Sequence, residues 1–389
     1  VCQLISESKA IFFAKAIPAN GYKTFKIIES MNKEIKTDTI LTTDFAENRF
    51  FKIKFDNKGQ ITSFINKMQN REIIKIGHIG NQLQAFEDKP MCFDNWDIDI
   101  YYKEKMWLID DIQDIEVIEN GPVRSTLRIK RKFLDSIIIQ YVYIYNDIER
   151  VDFNTYVDWK ENDILVKVSF PIEVNAKDAT YEIQYGNVTR PTHNNTSWDL
   201  AAFEVCGHKW VDLSEGNFGV SLLNDSKYGH DIKNGNMRLT LLKSTGDPNP
   251  DADKEEHFFT YSIYAHDKTW QEAKTVQLAY NLNTKLFSKV CNAHSGEFNN
   301  NLSLAKLNKE NVIIEVIKKA EDSDYLIVRL YEFHNKRTSV SIEFIKNIQL
   351  AYECDLLENN LEIITPNANK FDFEIKPFEI KTFKLYSKT

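Results

Sequence analysis

The sequence predicts an all-β protein, a large β-sandwich followed by a smaller one. Three observations carry this. Apolar and polar residues alternate with period two through most of the chain, the pattern of strands with one face on a core. Turn-forming residues break these runs at short intervals. The 389 residues offer a single good helix signal, and no repeat of roughly 20–50 residues suggests a propeller or solenoid.

The elements follow in order. "RFFKIKFDNKGQITSFI" puts Phe51, Ile53 and Phe55 on one face and Lys52 and Lys54 on the other. Asp56-Asn57-Lys58-Gly59 then turns the chain into a second strand. "SIIIQYVYIYNDIERVDFNTYVDW" reads as a further hairpin. Its first arm is apolar on both faces and is expected to lie between two layers. Its second arm alternates Val151, Phe153, Thr155, Val157 and Trp159 with Asp152, Asn154, Tyr156 and Asp158, so the acidic face is expected toward solvent or a cleft. "VKVSFPIEV" continues with Val166, Val168, Phe170 and Ile172.

Thr269-Trp270-Gln271-Glu272 reads as a capping box that opens a helix, with Trp270, Ala273, Val276 and Ala279 or Tyr280 at helical spacing. After about Lys285 the composition turns polar, and a domain boundary is expected there. "SVSIEFI" alternates again near the C-terminus. Pro377 interrupts "FDFEIKPFEIKTFKL". Proline cannot donate to a strand ladder, so a bulge or an edge is expected at that point.

Composition excludes several classes of partner. Net charge is −8 with acids and bases interspersed. No basic block suggests nucleic acid, and no basic amphipathic helix suggests a membrane surface. No apolar run approaches the roughly 18 residues of a membrane span. The five cysteines, Cys2, Cys92, Cys206, Cys291 and Cys354, are scattered and form no CxxC. They read as reduced thiols in a cytoplasmic protein. Heavy use of Ile, Lys and Asn suggests an AT-rich bacterial gene. The chain opens on Val1 with no signal peptide pattern, so it is expected to be a portion of a longer product.

Two stretches concentrate chemistry. "DNWDIDIYY" (94–102) mixes three aspartates with a tryptophan and two tyrosines. Carboxylates accept sugar hydroxyls and aromatic faces cover sugar C–H surfaces. The alternative is a solvated loop whose rings sit in the core. A second stretch, "YGNVTRPTHNNTSWDLAAFEVCGHKWVDLSEGNFGVSLLNDSKYGHDI", packs Arg190, His193, Trp198, Glu204, His208, Trp210, Asp212, Asp225, Tyr228 and His230 together. Arg190 precedes Pro191, which holds it extended, and its guanidinium is expected to make a fixed ion pair or bidentate contact rather than remain a free surface charge. Trp96 and Trp198 are expected at a surface that is buried only in the full-length protein.

Catalytic patterns are otherwise lacking. There is no HExxH, HxH or His-x-Asp, and His193, His208, His230, His257 and His266 are spread over several elements. "GDPNPDADKEE" (246–256) resembles a calcium loop, but counted from Asp247 its sixth position is Ala252 and its twelfth is Phe258, so it reads as a solvated turn. No GxSxG, GxGxxG or Walker loop occurs. A glycosidase needs two carboxylates roughly 5–10 Å apart. Asp152 and Asp158 are about 20 Å apart on one strand, and Asp94 and Asp97 share a loop that fixes no geometry.

The second stretch closely resembles the C-terminal half of the α-mannosidases of glycoside hydrolase family 38. "FEDKPMCFDNWDIDIYY", "NGPVRSTLRI", "DPNPDADKEEHFFTYSIYAH", "KKAEDSDYLIVRLYE" and "KPFEIKTFKL" match the family in order, from about residue 45 to the end. The resemblance implies a mutarotase-like β supersandwich over 45–288 and a small C-terminal β-sandwich over 289–389. Residues 1–44 would be the tail of a small linking β region. It implies no catalytic residue, metal or other cofactor in this chain. Zinc or another divalent metal, and the nucleophilic aspartate, would sit in an N-terminal barrel of the parent enzyme. The expected partners are that barrel and mannosides or mannose-containing oligosaccharides. A homo-oligomer is possible, and neither nucleic acid nor membrane is expected. Asp94, Trp96, Asp97, Arg190, His193 and Trp198 would border the sugar. The competing readings are a stand-alone carbohydrate-binding β module and a mutarotase-like epimerase using His208 and Glu204 as acid and base.

Overall fold

The computed structural model describes residues 1–28 and 37–387. They form two compact units: Val1–Phe13, Glu34–Glu182 and Val188–Leu286 make the first, and Ala14–Lys33, Ile183–Asn187 and Phe287–Thr389 the second.

Two antiparallel sheets dominate the first unit. The longer has nine strands in the order Asp111–Asn120, Arg124–Phe133, Ser136–Tyr145, Val151–Asp158, Glu256–Asp267, Phe218–Asn224, Trp210–Glu215, Asp178–Ile183 and Gly186–Pro191. The shorter has six: Met106–Leu108, Gln82–Glu87, Ile164–Pro171, Asn236–Ser244, Gly229–Lys233 and Val205–Cys206. Their inner faces share one core. Phe153 and Tyr261 of the long sheet stack at 5.0 Å, and Phe170 of the short sheet packs on both. Each ring is fully buried, worth about 2–3 kcal/mol apiece. A five-stranded sheet contains Phe51–Phe55 and Ile61–Asn66. Phe51, Ile53 and Phe55 face inward as their alternation requires. The intervening turn is closed by Asp56, whose Oδ1 accepts from the amides of Lys58 and Gln60, and by Gly59 at φ +66°.

The second unit is a small sandwich. Its five-stranded sheet runs Val312–Lys319, Leu326–Glu332, Ile380–Tyr386, Leu350–Cys354 and Asn360–Ile364, and its three-stranded sheet runs Ala305–Leu307, Thr338–Phe344 and Lys370–Ile375. Val328, Leu330, Val340, Ile342, Phe371 and Phe383 fill the space between.

Several expectations are corrected. The strand Ser136–Tyr145 is not enclosed by two layers. Ser136, Ile138, Gln140, Val142 and Ile144 are buried, whereas Ile137, Ile139, Tyr141 and Tyr143 are only partly covered. The polar Gln140 is tolerated inside because Arg131 Nη1 donates to it at 2.7 Å and its own amide reaches the Tyr261 hydroxyl at 2.6 Å. Asp152 does not face solvent. It is buried and takes hydrogen bonds from Arg150 Nε (2.7 Å), the Tyr145 hydroxyl (2.8 Å) and the Ser262 hydroxyl (2.5 Å).

The Thr269–Glu272 box forms a turn, with Thr269 and Glu272 each reaching the other's amide at 3.4 Å, but the helix proper is Thr275–Asn283. Lys274, at φ +59°, separates the two. Trp270, Val276 and Ala279 are buried as expected. Pro377 marks neither bulge nor edge. It lies in the turn Lys376–Glu379 that carries the chain from the three-stranded to the five-stranded sheet. There Phe378 N donates to the buried Glu332 carboxylate at 3.1 Å.

Candidate functional site

The two chemically dense stretches meet on the outer face of the six-stranded sheet. Along Ile164–Pro171, Val166, Val168 and Phe170 point into the main core, so Leu165, Lys167 and Ser169 point away from it. By the same alternation Arg238 and Thr240 share the outer face with Lys167, to which Thr240 is directly paired. Asp231 pairs with Arg238 on the next strand. Lys167 Nζ lies 2.8 Å from Asp231 Oδ2 and also bonds Glu204. Arg238 Nε reaches Asp231 Oδ1 at 2.7 Å, and the Thr240 hydroxyl donates to Glu204 Oε1 at 2.7 Å.

Two cations and two carboxylates therefore compensate one another in a closed set. Burial alone would drive the Lys167 ammonium down, but Asp231 and Glu204 outweigh it and the net shift is upward. Asp231 is shifted the opposite way: burial would raise it, and Lys167 with Arg238 hold it below its ordinary value.

Aromatic rings roof this charge cluster. Tyr102 lies over Lys167, ring centroid to Nζ 5.0 Å, and contacts Phe86 at 5.2 Å and Phe203 at 6.1 Å. Tyr102 ends the first dense stretch, and Phe203 and Glu204 end the loop of the second. The sheet thus fixes both loops at their C-terminal ends.

The first loop, residues 88–105, is held at its start as well. Asp88 is buried and ion-paired with Lys243 at 2.8 Å. Burial pushes its carboxyl up, against the pull of Lys243. Asp94 Oδ2 accepts from the amides of Gly246 (2.8 Å) and Asp247 (3.0 Å), so the "GDPNP" turn is clamped to this loop. Asn95 adds a backbone bond to Asp247 O at 3.2 Å and a side-chain bond from Thr245. The carboxylate of Asp94 is thereby taken up in bracing. Asp97 is exposed, with Oδ1 accepting only from the next amide, Ile98 N, at 2.9 Å. Trp96 is 73% exposed and Phe93 69%. An open cleft of about 370 Å³ borders the loop, lined by Asp88, Lys89, Asp99, Tyr101, Tyr102 and Glu104 among others.

The second loop carries a short helix, Ser197–Ala201. Thr196 and Asp199 form a reciprocal capping box: Asp199 N donates to Thr196 Oγ1 at 3.1 Å and Thr196 N to Asp199 Oδ2 at 3.0 Å. His193 Nδ1 lies 3.4 Å from the same carboxylate. Lys233 Nζ donates to the carbonyls of Pro191, His193 and Asp199 at 3.1–3.3 Å. The backbone is well tied, yet Trp198 is 86% exposed.

Arg190 departs from expectation. It makes no ion pair among the described residues. Its guanidinium stacks on the ring of Tyr181 at 4.6 Å, and Nη1 is buried without a hydrogen-bond partner. Tyr181 in turn meets His230 edge-on at 6.3 Å. His230 is fully buried, Nδ1 lies 3.2 Å from Tyr228 O, and burial holds its pKa down at about 4.

The epimerase reading is not favoured by this geometry. Both oxygens of Glu204 are engaged, by Lys167 and by Thr240. The ring of His208 packs on Tyr228 at 4.9 Å. Nor do the described residues suit a catalytic metal. No group of three or more His, Cys, Asp and Glu side chains among them could hold one, and a zinc centre needs about three ligands in tetrahedral reach. No step through a metal is therefore derived for this chain. What the surface offers is exposed indole faces, free hydroxyl acceptors such as Asp97, and a rigid base.

Of the six residues singled out from the sequence, Asp94, Trp96 and Asp97 share the first loop, and His193 and Trp198 the second. Arg190 lies at the strand end that leads into the second. The sequence reading missed Lys167, Asp231 and Arg238. A lysine inside "VKVSF" and an arginine inside "MRLTL" are the available signals, since each interrupts an apolar strand on its non-core face.

Known proteins resemble this chain along most of its length. Residues 46–251 match the family described as glycosyl hydrolases family 38 C-terminal domain, and residues 311–383 match the glycosyl hydrolases family 38 C-terminal beta sandwich domain. Alpha-mannosidase G of Dictyostelium discoideum is 38% identical over 96% of this chain and 36% of its own length. Alpha-mannosidase 2C1 of Homo sapiens is 34% identical over 90% of this chain and 34% of its own. The chain thus spans about a third of these relatives. An alpha-mannosidase from Enterococcus faecalis V583 of known crystal structure shares the fold, with TM-score 0.76 at 18% identity over 92% of this chain and 44% of its own.

Proposed function

The chain belongs to glycosyl hydrolase family 38, within that family's C-terminal β region, and from that premise we propose that it is the accessory portion of an α-mannosidase. The parent would be a retaining exo-glycosidase that releases α-linked mannose in a bacterial cytoplasm. Nucleophile, acid and divalent metal, zinc in this reading, belong to an N-terminal barrel that this chain supports and borders. Division of the chain at 44 and 288 is part of the same proposal.

One observation supports this reading above others. Trp96 and Trp198 are exposed on two loops whose bases are fixed by a buried charge cluster. Full burial of such a ring is worth about 2–3 kcal/mol, so a rigidly presented pair suits a covering partner or a sugar. Trp96 and Trp198 would offer flat faces to sugar C–H surfaces, and Asp97 and His193 would bond hydroxyls. Asp94 would position the first loop. Arg190 would meet an acceptor from substrate or barrel through the part of its guanidinium left uncovered.

The test is to produce this chain alone and together with a family 38 catalytic barrel, and to assay an aryl α-mannoside and mannose binding. The expected result is turnover only with the barrel, and no tight mannose binding by the chain alone. Turnover by the chain alone would overturn the assignment of catalysis to the barrel. Tight mannose binding without any effect on the barrel would instead establish a stand-alone sugar-binding module.

A further inference from the structure

We propose that the cleft beside residues 88–105 is a binding site for a free organic amine, held through its ammonium group. The inference does not depend on the mannosidase reading. It assigns a ligand to the cleft wall, whereas the sugar contacts above fall to the exposed rings of Trp96 and Trp198.

The charges of the cleft do not balance. Four carboxylates line it, Glu87, Asp88, Asp99 and Glu104, against two ammonium groups, Lys89 and Lys105. Both lysines are spent on one acid: Lys105 meets Glu87 at 2.9 Å and Lys89 meets it at 3.2 Å. Asp99 accepts the Met91 amide at 2.8 Å, and Glu104 is exposed with no side-chain partner among the described residues. Asp88 is 1% exposed. Lys243 reaches its Oδ2 at 2.8 Å, while Oδ1 is closed off from water and accepts no hydrogen bond. Asp94 and Glu204 add further negative potential there. A buried carboxylate oxygen without a donor is costly, and a donor arriving through the cleft recovers that loss.

The chemistry of the wall selects the ligand. An anion is repelled by the surplus of carboxylates. A metal ion is not suited either, because no three acids among the described residues converge on one point. An alkyl ammonium carries three donors on one charge, and its N–H bonds to carboxylates are charge-assisted. Tyr101 supplies a further part of the wall. It is 56% exposed, and no cation among the described residues lies over its ring, so that face is open to the ammonium or its methylenes. Tyr102 differs, since Lys167 and Lys103 already lie over it at 5.0 and 5.6 Å. A space of about 370 Å³ takes a small diamine, whose second ammonium serves Glu104 or Asp99.

Calorimetric titration of the chain with cadaverine and with the neutral 1,5-pentanediol, at fixed ionic strength, tests this. The expected result is saturable binding of cadaverine, about tenfold or more tighter than the diol. Asp88→Asn should weaken it by about tenfold or more, and Glu104→Gln by about threefold. Glu362→Gln, an equal charge change on an exposed strand of the second unit, should leave it unchanged. Should Asp88→Asn lose its cooperative melting, Glu104→Gln and the diol carry the test. Equal affinity for diamine and diol would overturn the proposal. So would wild-type affinity in Glu104→Gln or in folded Asp88→Asn, or an equal loss in Glu362→Gln, which marks non-specific attraction. Binding that vanishes when a family 38 barrel is added would overturn the assignment to a free amine.

Discussion

Lys167 and Asp231 meet at 2.8 Å under the ring of Tyr102, both closed off from solvent. A buried ion pair of this kind adds little net stability by itself, because desolvation offsets most of the attraction. Its consequence is positional. Arg238 and Glu204 complete the set, and the loops that carry Trp96 and Trp198 are fastened to it.

Removing one partner should be far costlier than removing both. Lys167→Met leaves Asp231 short of its main counter-charge and is expected to lower stability by about 3–5 kcal/mol. Lys167→Met with Asp231→Leu should recover part of that loss. Urea unfolding of the two single variants and the double gives the coupling directly. Additive losses would show that the pair does not act as a unit.

His230 predicts an acid-labile fold. Burial holds its folded pKa at about 4 against an ordinary 6.5. Between these values the unfolded chain takes up a proton that the folded chain refuses. The stability it contributes is therefore complete above pH 6.5 and is lost as pH falls through about 4, on the order of 3 kcal/mol in all. Denaturant midpoints across that window should fall more steeply for the wild type than for His230→Gln. Parallel pH profiles would contradict the assignment.

Asp94 separates bracing from sugar contact. Its Oδ2 accepts two amides of the 246–247 turn. Asp94→Ala should cost about 1–3 kcal/mol and speed hydrogen exchange at Gly246 and Asp247. Asp94→Asn keeps an acceptor and should be milder on both. An Asn variant as damaging as Ala to activity, with exchange unchanged, would point to a direct role at the substrate.

Much of this was legible in the sequence. Phe51, Ile53 and Phe55 announced their strand because a period of two has one core-facing solution, and Asp56 to Gly59 announced its turn. Trp96 and Trp198 stood out because loops of charged residues rarely carry indoles. What escaped depends on long-range covering. Lys167 could be placed on the non-core face of its strand, but its burial follows from Tyr102 and Phe203 folding over it from elsewhere in the chain. Asp152 looked solvent-facing because its alternation with Val151 and Phe153 could not show Arg150, Tyr145 and Ser262 closing around it. The helix start slipped from Thr269 to Thr275 because a capping box also closes an isolated turn, and Lys274 in the left-handed region then interposes a break. Arg190 was expected to find a carboxylate and found the face of Tyr181, a partner that guanidinium planarity suits equally.

On the proposed reading, the loops of Trp96 and Trp198 border the sugar site of an active α-mannosidase. Its most direct test is kcat/KM for an aryl α-mannoside in the barrel-containing enzyme with Trp96→Ala and Trp198→Ala, beside thermal melts of this chain alone with the same changes. Both rings are exposed in this chain, so truncation should barely move the melts. The expected result is a fall in kcat/KM of about tenfold or more for at least one variant, a loss of roughly 1.4 kcal/mol in transition-state stabilisation. Wild-type kcat/KM and KM in both variants would contradict it.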